Sequence, residues 1–390
     1  MRKPIVRVIA TGAQRAARRV RWWLAALAVA LPLLVAFPGT ANAITGCPGG
    51  DPSAQHCYAF GYFGDDVGGA PVWMDAVGTD LTAYCLSVAN RNTDFATYEM
   101  WMGTNDNGAA NTWVEEGMHA GIGFDGANHG FSWFWADNRP PGDLSNFHEH
   151  YGPAASVNVS TNVSFYWLGN GNWNVYRGGA LVGESAGVGD YAGDAETGAE
   201  TTTNQATDFG QSSNLQYHES GAWHTAPTSW YNGWSGYGWL NASGYNRPLP
   251  GSVTYVSNRG GCNGGAAALA ALRPAPITAA TAATRLTAIA LRAAAANGDS
   301  HPTGIAYVAT TRHQAQALLG EGIPQHDPSY LIQLRGHFTG YDAAVPPGKK
   351  LPAGGVLTLT VSAATGAVTD VSLTSATVNL RALGRPAALG

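Results

Sequence analysis

From about Ala59 to Ser257 the chain is built of short runs in which apolar and polar residues alternate, bounded by Gly, Asn, Asp and Ser. A period of two sends successive side chains to opposite faces of a strand, so this texture predicts β-structure with no long helix. Val163, Phe165 and Trp167 alternate before Gly169-Asn170-Gly171, Trp173 and Val175 alternate after it, and Gly178-Gly179 closes the next turn. Glycine and asparagine tolerate the left-handed backbone of a tight turn, so a pair of hairpins is expected here. Strands spaced roughly 8 to 12 residues apart over one long stretch predict a mainly β fold, a two-sheet jelly roll or concanavalin-like sandwich.

After Cys262 the texture shifts to Ala, Thr and Leu. Residues 277–296 read as a helix with Leu286, Ile289, Ala290 and Ala293 on one face, and Asn297-Gly298 as its C-terminal stop. A strand over 305–309, a short helix over 312–319, a strand over 330–334 and a hairpin over 356–373 turning at Thr365-Gly366 complete a small α+β segment. The expected organisation is a signal peptide over 1–43, a β-sandwich domain over 44–262, a linker over 263–276 marked by Pro274 and Pro276, and a small α+β domain over 277–390.

The N-terminus changes the electrostatic picture. Arg2, Lys3, Arg7, Arg15, Arg18, Arg19 and Arg21 precede the apolar run Trp22 to Phe37, and Ala41-Asn42-Ala43 places small residues where a signal peptidase reads. The run is about 16 residues and holds Pro32, whereas a membrane span needs roughly 20. Cleavage after Ala43 would remove these seven basic residues from the total of 21 and none of the 26 acids, leaving 14 − 26 = −12. Between Ile44 and Leu272 stand Arg91, Arg139, Arg177, Arg247 and Arg259, no lysine, and 21 acids. Such a surface excludes nucleic acid and anionic membrane as partners. It suits an acidic medium, where many carboxylates are protonated, and equally a soluble secreted protein, for which a monomer is expected.

Cys47, Cys57, Cys85 and Cys262 are an even set of cysteines, so an exported chain would hold disulfides, with the pairing open. Their spacing fits no zinc pattern, and no cofactor is implied.

Candidate chemistry lies in the carboxylates. Trp113-Val114-Glu115-Glu116-Gly117 puts two glutamates on opposite faces of a strand, whereas Glu196 and Glu200 in Ala195-Glu196-Thr197-Gly198-Ala199-Glu200 share a face. Between them come Trp133-Phe134-Trp135-Ala136-Asp137, then Gly171-Asn172-Trp173 with Val182-Gly183. In this order, over about residues 99–220, the chain resembles the neprosin-like glutamic peptidases. That family's pattern is a Glu-Ala-Gly strand, an aromatic strand, a Gly-x-Trp hairpin followed by Val-Gly, and a Gly-Gly-Glu strand. The chain departs from it at Glu116, where the family has a small residue, at Ala199, and at Phe147-His148-Glu149-His150-Tyr151, near the place of a Gly-Cys-Tyr-Asn segment. The resemblance implies catalytic glutamates at Glu115 and Glu200, with Trp113, Trp133, Trp135, Asp137 and Trp173 toward a polypeptide substrate.

Two opposed carboxylates cannot both ionise cheaply, so one would hold a proton and the other would activate water for acid hydrolysis of a peptide bond. A glycoside hydrolase using paired carboxylates is the rival enzyme, and a carbohydrate or cell-wall binding module the non-catalytic one. His148 and His150 alternate onto one face but lack a third ligand in the sequence, so no metal is assigned. The run Trp223, Trp230, Tyr231, Trp234, Tyr237, Trp239 and Tyr245 would line a groove or cap the sandwich, and Asn158, Asn162 and Asn241 begin Asn-x-Ser sequons. For the C-terminal segment, docking to a partner and inhibition of the preceding domain are both expected roles.

Overall fold

The computed structural model describes residues 56–64, 73–104, 111–140, 146–203, 206–226, 231–232, 254–258, 276–346 and 349–389. The expected signal peptide, Cys47, Cys262, most of the linker, Asn241 and the aromatic run from Trp230 onward, apart from the backbone of Tyr231, lie outside the described residues. No helix among the described residues is long and apolar enough to cross a membrane.

The alternating stretch forms strands β1 (Cys57–Gly64), β2 (Ala76–Val88), β3 (Phe95–Gly103), β4 (Trp113–Ile122) and β5 (Asn128–Asn138). It continues through β6 (Phe147–Ala154), β7 (Thr161–Gly169), β8 (Asn172–Arg177), β9 (Ala180–Ser185) and β10 (Asp194–Thr201). Then come β11 (Ala206–Glu219), β12 (Ala222–Thr225), β13 (Tyr231–Asn232) and β14 (Thr254–Asn258). The C-terminal segment contributes α1 (Ala282–Ala296), β15 (Thr303–Thr311), α2 (Arg312–Leu319), β16 (Pro328–Thr339), β17 (Ala353–Ser362), β18 (Val368–Thr374) and β19 (Ala387–Ala388).

Two antiparallel sheets pack as a sandwich. The second runs β12-β11-β2-β7-β8-β9, with β14 also paired to β11. The first runs β13-β1-β10-β3-β4-β5-β6-β18-β17-β16-β15-β19. The expected hairpins are β7–β8 and β8–β9, turning where Asn170 has φ 56° and Gly171 φ 76°, the left-handed values a short turn imposes. Val77, Leu81, Phe165, Trp173 and Val175 of the second sheet pack against Tyr98, Met100, Met118, Trp133 and Trp135 of the first.

The C-terminal segment has the expected mixture of helix and strand, and its strands extend the first sheet. β18 pairs with β6, setting Val371 opposite Glu149 and Leu373 opposite Phe147. The change in sequence texture near residue 262 is therefore crossed by a continuous hydrogen-bonded sheet. Helix α1 starts at Ala282, later than the apolar pattern suggests. The Ile277 N–H donates to the Ala363 carbonyl (2.9 Å) and the Arg285 guanidinium to the Pro276 carbonyl (2.8 Å), which holds the preceding residues outside the helix. Its buried stripe of Leu286, Ile289, Ala290 and Ala293 joins Trp113, Phe134, Ala136 and Phe147 in a second hydrophobic cluster, on the face of the first sheet turned away from the sandwich core.

Candidate active site

That outer face carries the carboxylates, and strand register explains how. Glu200 on β10 stands opposite Thr97 of β3, and Thr97 opposite His119 of β4. In the next row Gly198, Glu99 and Gly117 lie side by side, followed by a row of Trp101, Glu115, Ala136 and Glu149 across β3, β4, β5 and β6. Because all these positions differ by even steps along their strands, Glu200, Glu99, Glu115 and Glu149 share one face. Glu99 is a diagonal neighbour of both Glu200 and Glu115, a spacing of about 7–8 Å between backbones. The two glutamates expected as a dyad, Glu115 and Glu200, are thus farther from each other than either is from Glu99.

Glycine makes room for Glu99. A Cβ on Gly117 would collide with the Cβ of Glu99, and Gly198 flanks it on the other side. Glu99 also accepts from the Thr97 hydroxyl. Glu99 was not legible as a site residue, although a lone acid within Phe95-Ala96-Thr97-Tyr98-Glu99-Met100-Trp101 is the signal that could have shown it.

All four glutamates are sealed from solvent, Glu99, Glu115 and Glu200 at 0 % exposure and Glu149 at 1 %. Burial, followed by the charge of Glu200, holds Glu99 well above the usual carboxylate range. Burial and then Glu99 do the same to Glu115, and burial foremost to Glu149. Both oxygens of Glu115 and of Glu149 lack a hydrogen-bond partner among the described residues. Glu200 is raised by burial against the opposing pull of His56, which is itself raised by the glutamate although burial works the other way. The result is one carboxylate with a cationic partner beside others that favour the protonated form, the division of labour an acid–base pair requires.

Glu200 has the richest surroundings. His56 Nδ1 meets its carboxylate, and the Tyr58 hydroxyl lies 3.2 Å from Oε1. The Val345 N–H donates to both oxygens, at 3.0 Å and 3.2 Å. Tyr58 also donates to the Val345 carbonyl (2.8 Å), and His56 Nε2 donates to the Tyr341 carbonyl (2.9 Å). His56 and Tyr58 were missed in the sequence because β1 enters the site only through its long-range pairing with β10. His119, on the floor of the same row, is kept neutral by burial and by His129, its pKa lowered to about 3.

Alternation places the remaining expected residues apart. Trp113 shares the face of Glu115 and is buried. Trp133, Trp135 and Asp137 point to the opposite face, into the sandwich, because Glu115 registers with Ala136. Trp133 lies under the Arg177 guanidinium (4.9 Å), which binds Glu116 (2.5 Å). Trp135 stacks on His150 (3.9 Å between centroids) against Gly183, and Trp173, in the second sheet, donates to the Gly189 carbonyl (2.7 Å). These side chains form the core between the sheets and do not line the glutamate face.

His148 and His150 do share a face, on that inner side. Asp137, His148 and Glu321 offer ligand atoms within 4.8 Å of one another. Arg139, however, bonds both Asp137 (3.0 Å) and Glu321, so a guanidinium already bridges the two carboxylates. The cluster continues through His150–Asp370 (2.8 Å) and Arg312–Asp370 (2.7 Å) as an ion-pair network tying the C-terminal segment to β5 and β6. Cys57 and Cys85 are buried and neither has a free thiol.

No protein-family model matches the sequence, and no curated protein matches it either. Among solved structures, the chain is similar to Scytalido-glutamic peptidase with a peptide-based transition-state analog, at 10 % identity and TM-score 0.34 over 52 % of this chain and 97 % of that one. It is similar to SCP-B, a member of the Eqolisin family of peptidases, at 9 % identity and TM-score 0.31 over 52 % and 97 %. A β-glucanase from Bacillus licheniformis aligns at 13 % identity and TM-score 0.23, over 33 % of this chain and 54 % of the enzyme. At these scores the likenesses assign no activity.

Proposed function

We propose that this protein is an exported acid peptidase whose hydrolytic carboxylates are Glu200 and Glu99, with Glu115 beside them. One observation supports it above the rest: the polar groups around Glu200 are engaged with polypeptide main chain, taking an N–H on the carboxylate and giving a hydroxyl to a carbonyl of residue 345. Those are the two contacts a peptide substrate needs. A carboxylate near an amide nitrogen can deliver or remove a proton there, and a hydroxyl donor on the carbonyl oxygen favours the charge that builds up when water adds. In this reading the fraction of Glu200 that His56 keeps ionised against burial takes the proton from water, and protonated Glu99 supplies one to the leaving nitrogen. The dyad is therefore shifted from the expected Glu115–Glu200 pair to the diagonal neighbours. Export after Ala43 and disulfides at the four cysteines belong to the same proposal.

The test is digestion of an unfolded protein at about pH 4 by the purified protein, before and after limited cleavage of its own loops. Glu200→Gln and Glu99→Gln should each lose at least about 100-fold, the scale of general acid–base catalysis, and Glu115→Gln much less. Wild-type rates in both variants would remove the peptidase reading.

A second site favours the sugar-binding alternative. On the second sheet, Asp80, Asn162, Ser164, Asn214 and Gln216 with the rings of Tyr166 and Trp223 line a groove of about 410 Å³. Amides and a carboxylate beside exposed aromatic rings suit a polyhydroxylated ligand. Retention on an insoluble polysaccharide, lost in Trp223→Ala, is the expected result, and equal retention of the two proteins would remove it.

A further inference from the structure

The polypeptide lying on the carboxylates is the protein's own. Residues 341–346 follow β16 and run across the glutamate face, and Ala343, Ala344 and Val345 are buried in the same cluster as Trp113 and Phe147. Their main chain carries three of the contacts around Glu200: Val345 N–H on its carboxylate, Val345 carbonyl on Tyr58 and Tyr341 carbonyl on His56. Pro346 and Pro347 follow directly. A residue before proline is restricted to extended backbone, so the segment loses less entropy on lying flat along a sheet than a freer sequence would. With this segment over Glu200 and helix α1 packed on the same face, the glutamates are 0–1 % exposed, and no external polypeptide can reach Glu200 while the segment is in place.

The lysines mark a way out. The whole chain has lysine only at positions 3, 349 and 350, and the pair follows the covering segment after Pro347-Gly348, with Lys349 half-buried and Lys350 exposed. The Lys350 N–H is held by the Asn111 side chain (3.0 Å), which anchors this end of the segment beside the start of β4. We propose that residues 341–346 are a tethered inhibitor closing the carboxylate cleft, and that cleavage of the Lys349–Lys350 bond by a lysine-directed protease releases it. The proposal rests on the peptidase reading of the cleft. Cleavage consumes one water: its hydroxyl goes to the Lys349 carbonyl carbon and its proton to the Lys350 nitrogen. A carboxylate ends one fragment and an ammonium begins the other. The segment then ends in a free tail bearing the Lys349 ammonium and a new carboxylate, both of which favour water over the buried face, and the anchor at Asn111 stays with the other fragment.

The full chain treated with a lysine-specific endoprotease tests this, because its targets are Lys3 and the 349–350 pair. Two readouts are followed: coupling of glycine ethyl ester to Glu200 by carbodiimide, mapped by mass spectrometry, and digestion of an unfolded protein at about pH 4. The uncut protein should show neither, and the cut protein should show Glu200 labelling with digestion raised at least tenfold. The Lys349→Gln/Lys350→Gln protein, which keeps the whole cleft, should stay unlabelled and inactive under the same treatment. Equal labelling of Glu200 before cutting, or continued protection after complete cutting at the pair, overturns the tethered inhibitor. Labelling without digestion upholds it and removes the peptidase reading instead.

Discussion

Glu115 shows most clearly what a single side chain costs this fold. It is fully buried, both oxygens lack partners among the described residues, and burial with the neighbouring Glu99 charge keeps it well above the ordinary carboxylate value. The fold therefore favours its protonated form over a pH range in which the unfolded chain lets it ionise. Glu115→Gln removes that difference and keeps the shape. It should stabilise the protein at pH 7 by about 1–3 kcal/mol and have little effect near pH 4, where the carboxylate is protonated in both states. Paired urea titrations at the two pH values check this, and equal shifts at both would mean that Glu115 is already ionised in the fold. The opposite faces of Glu115 and Glu116 were legible from alternation alone. That Glu99 would stand between Glu115 and Glu200 was not, because it depends on β3 lying between β4 and β10, a neighbourhood set by contacts about 100 residues apart.

Among the elements, local signals were read well and long-range pairings were not. The β7–β8 turn, helix α2 and the hairpin of β17 and β18 follow from glycine, capping and period, all of which act within a few residues. The pairing of β6 with β18 joins residues about 220 apart, and nothing near either strand announces it. What fixes it is the buried ionic network around Asp370, which accepts from Arg312 (2.7 Å) and meets His150 (2.8 Å). Arg312 is the greatest influence opposing burial there and lowers the Asp370 pKa to about 2. Asp370→Ala leaves Arg312 and His150 without their shared anion at the junction. Removing one member of such a pair costs on the order of 3–5 kcal/mol, so a large loss in denaturation midpoint is expected. Hydrogen exchange should also speed up along β18 before it does in β7 and β8, since only the former is held by the network. Uniform acceleration throughout the sandwich would mean that the junction is not a separate point of weakness.

At the scale of the whole molecule, the buried ionisable groups set an unusual dependence of stability on pH. Burial holds Glu99, Glu115, Glu149 and Asp208 well above the ordinary carboxylate values and raises Glu116 and Asp342 to about 7. For each, the stability is fully present below the unfolded pKa near 4 and is lost as pH rises toward the folded value. His56, raised from 6.5 by Glu200 despite burial, acts in the same direction at higher pH. His119, lowered to about 3, and His148 and His150, also lowered by burial, oppose it: their stability is lost as pH falls below 6.5. Asp370, lowered to about 2, and Asp125, also lowered, subtract further only below about pH 4. Each group contributes about 1.4 kcal/mol per pH unit within its window. Between pH 7 and 4.5 the raised acids outweigh the lowered histidines, and below 4 only the histidines, Asp370 and Asp125 still change, all unfavourably. The melting temperature should therefore peak between about pH 4 and 5 and fall on both sides, by several degrees at pH 7. Thermal melts in half-unit steps of pH measure it directly. A peak at pH 7 would mean that the glutamates ionise in the folded protein, and therefore that water reaches the face on which residues 341–346 lie.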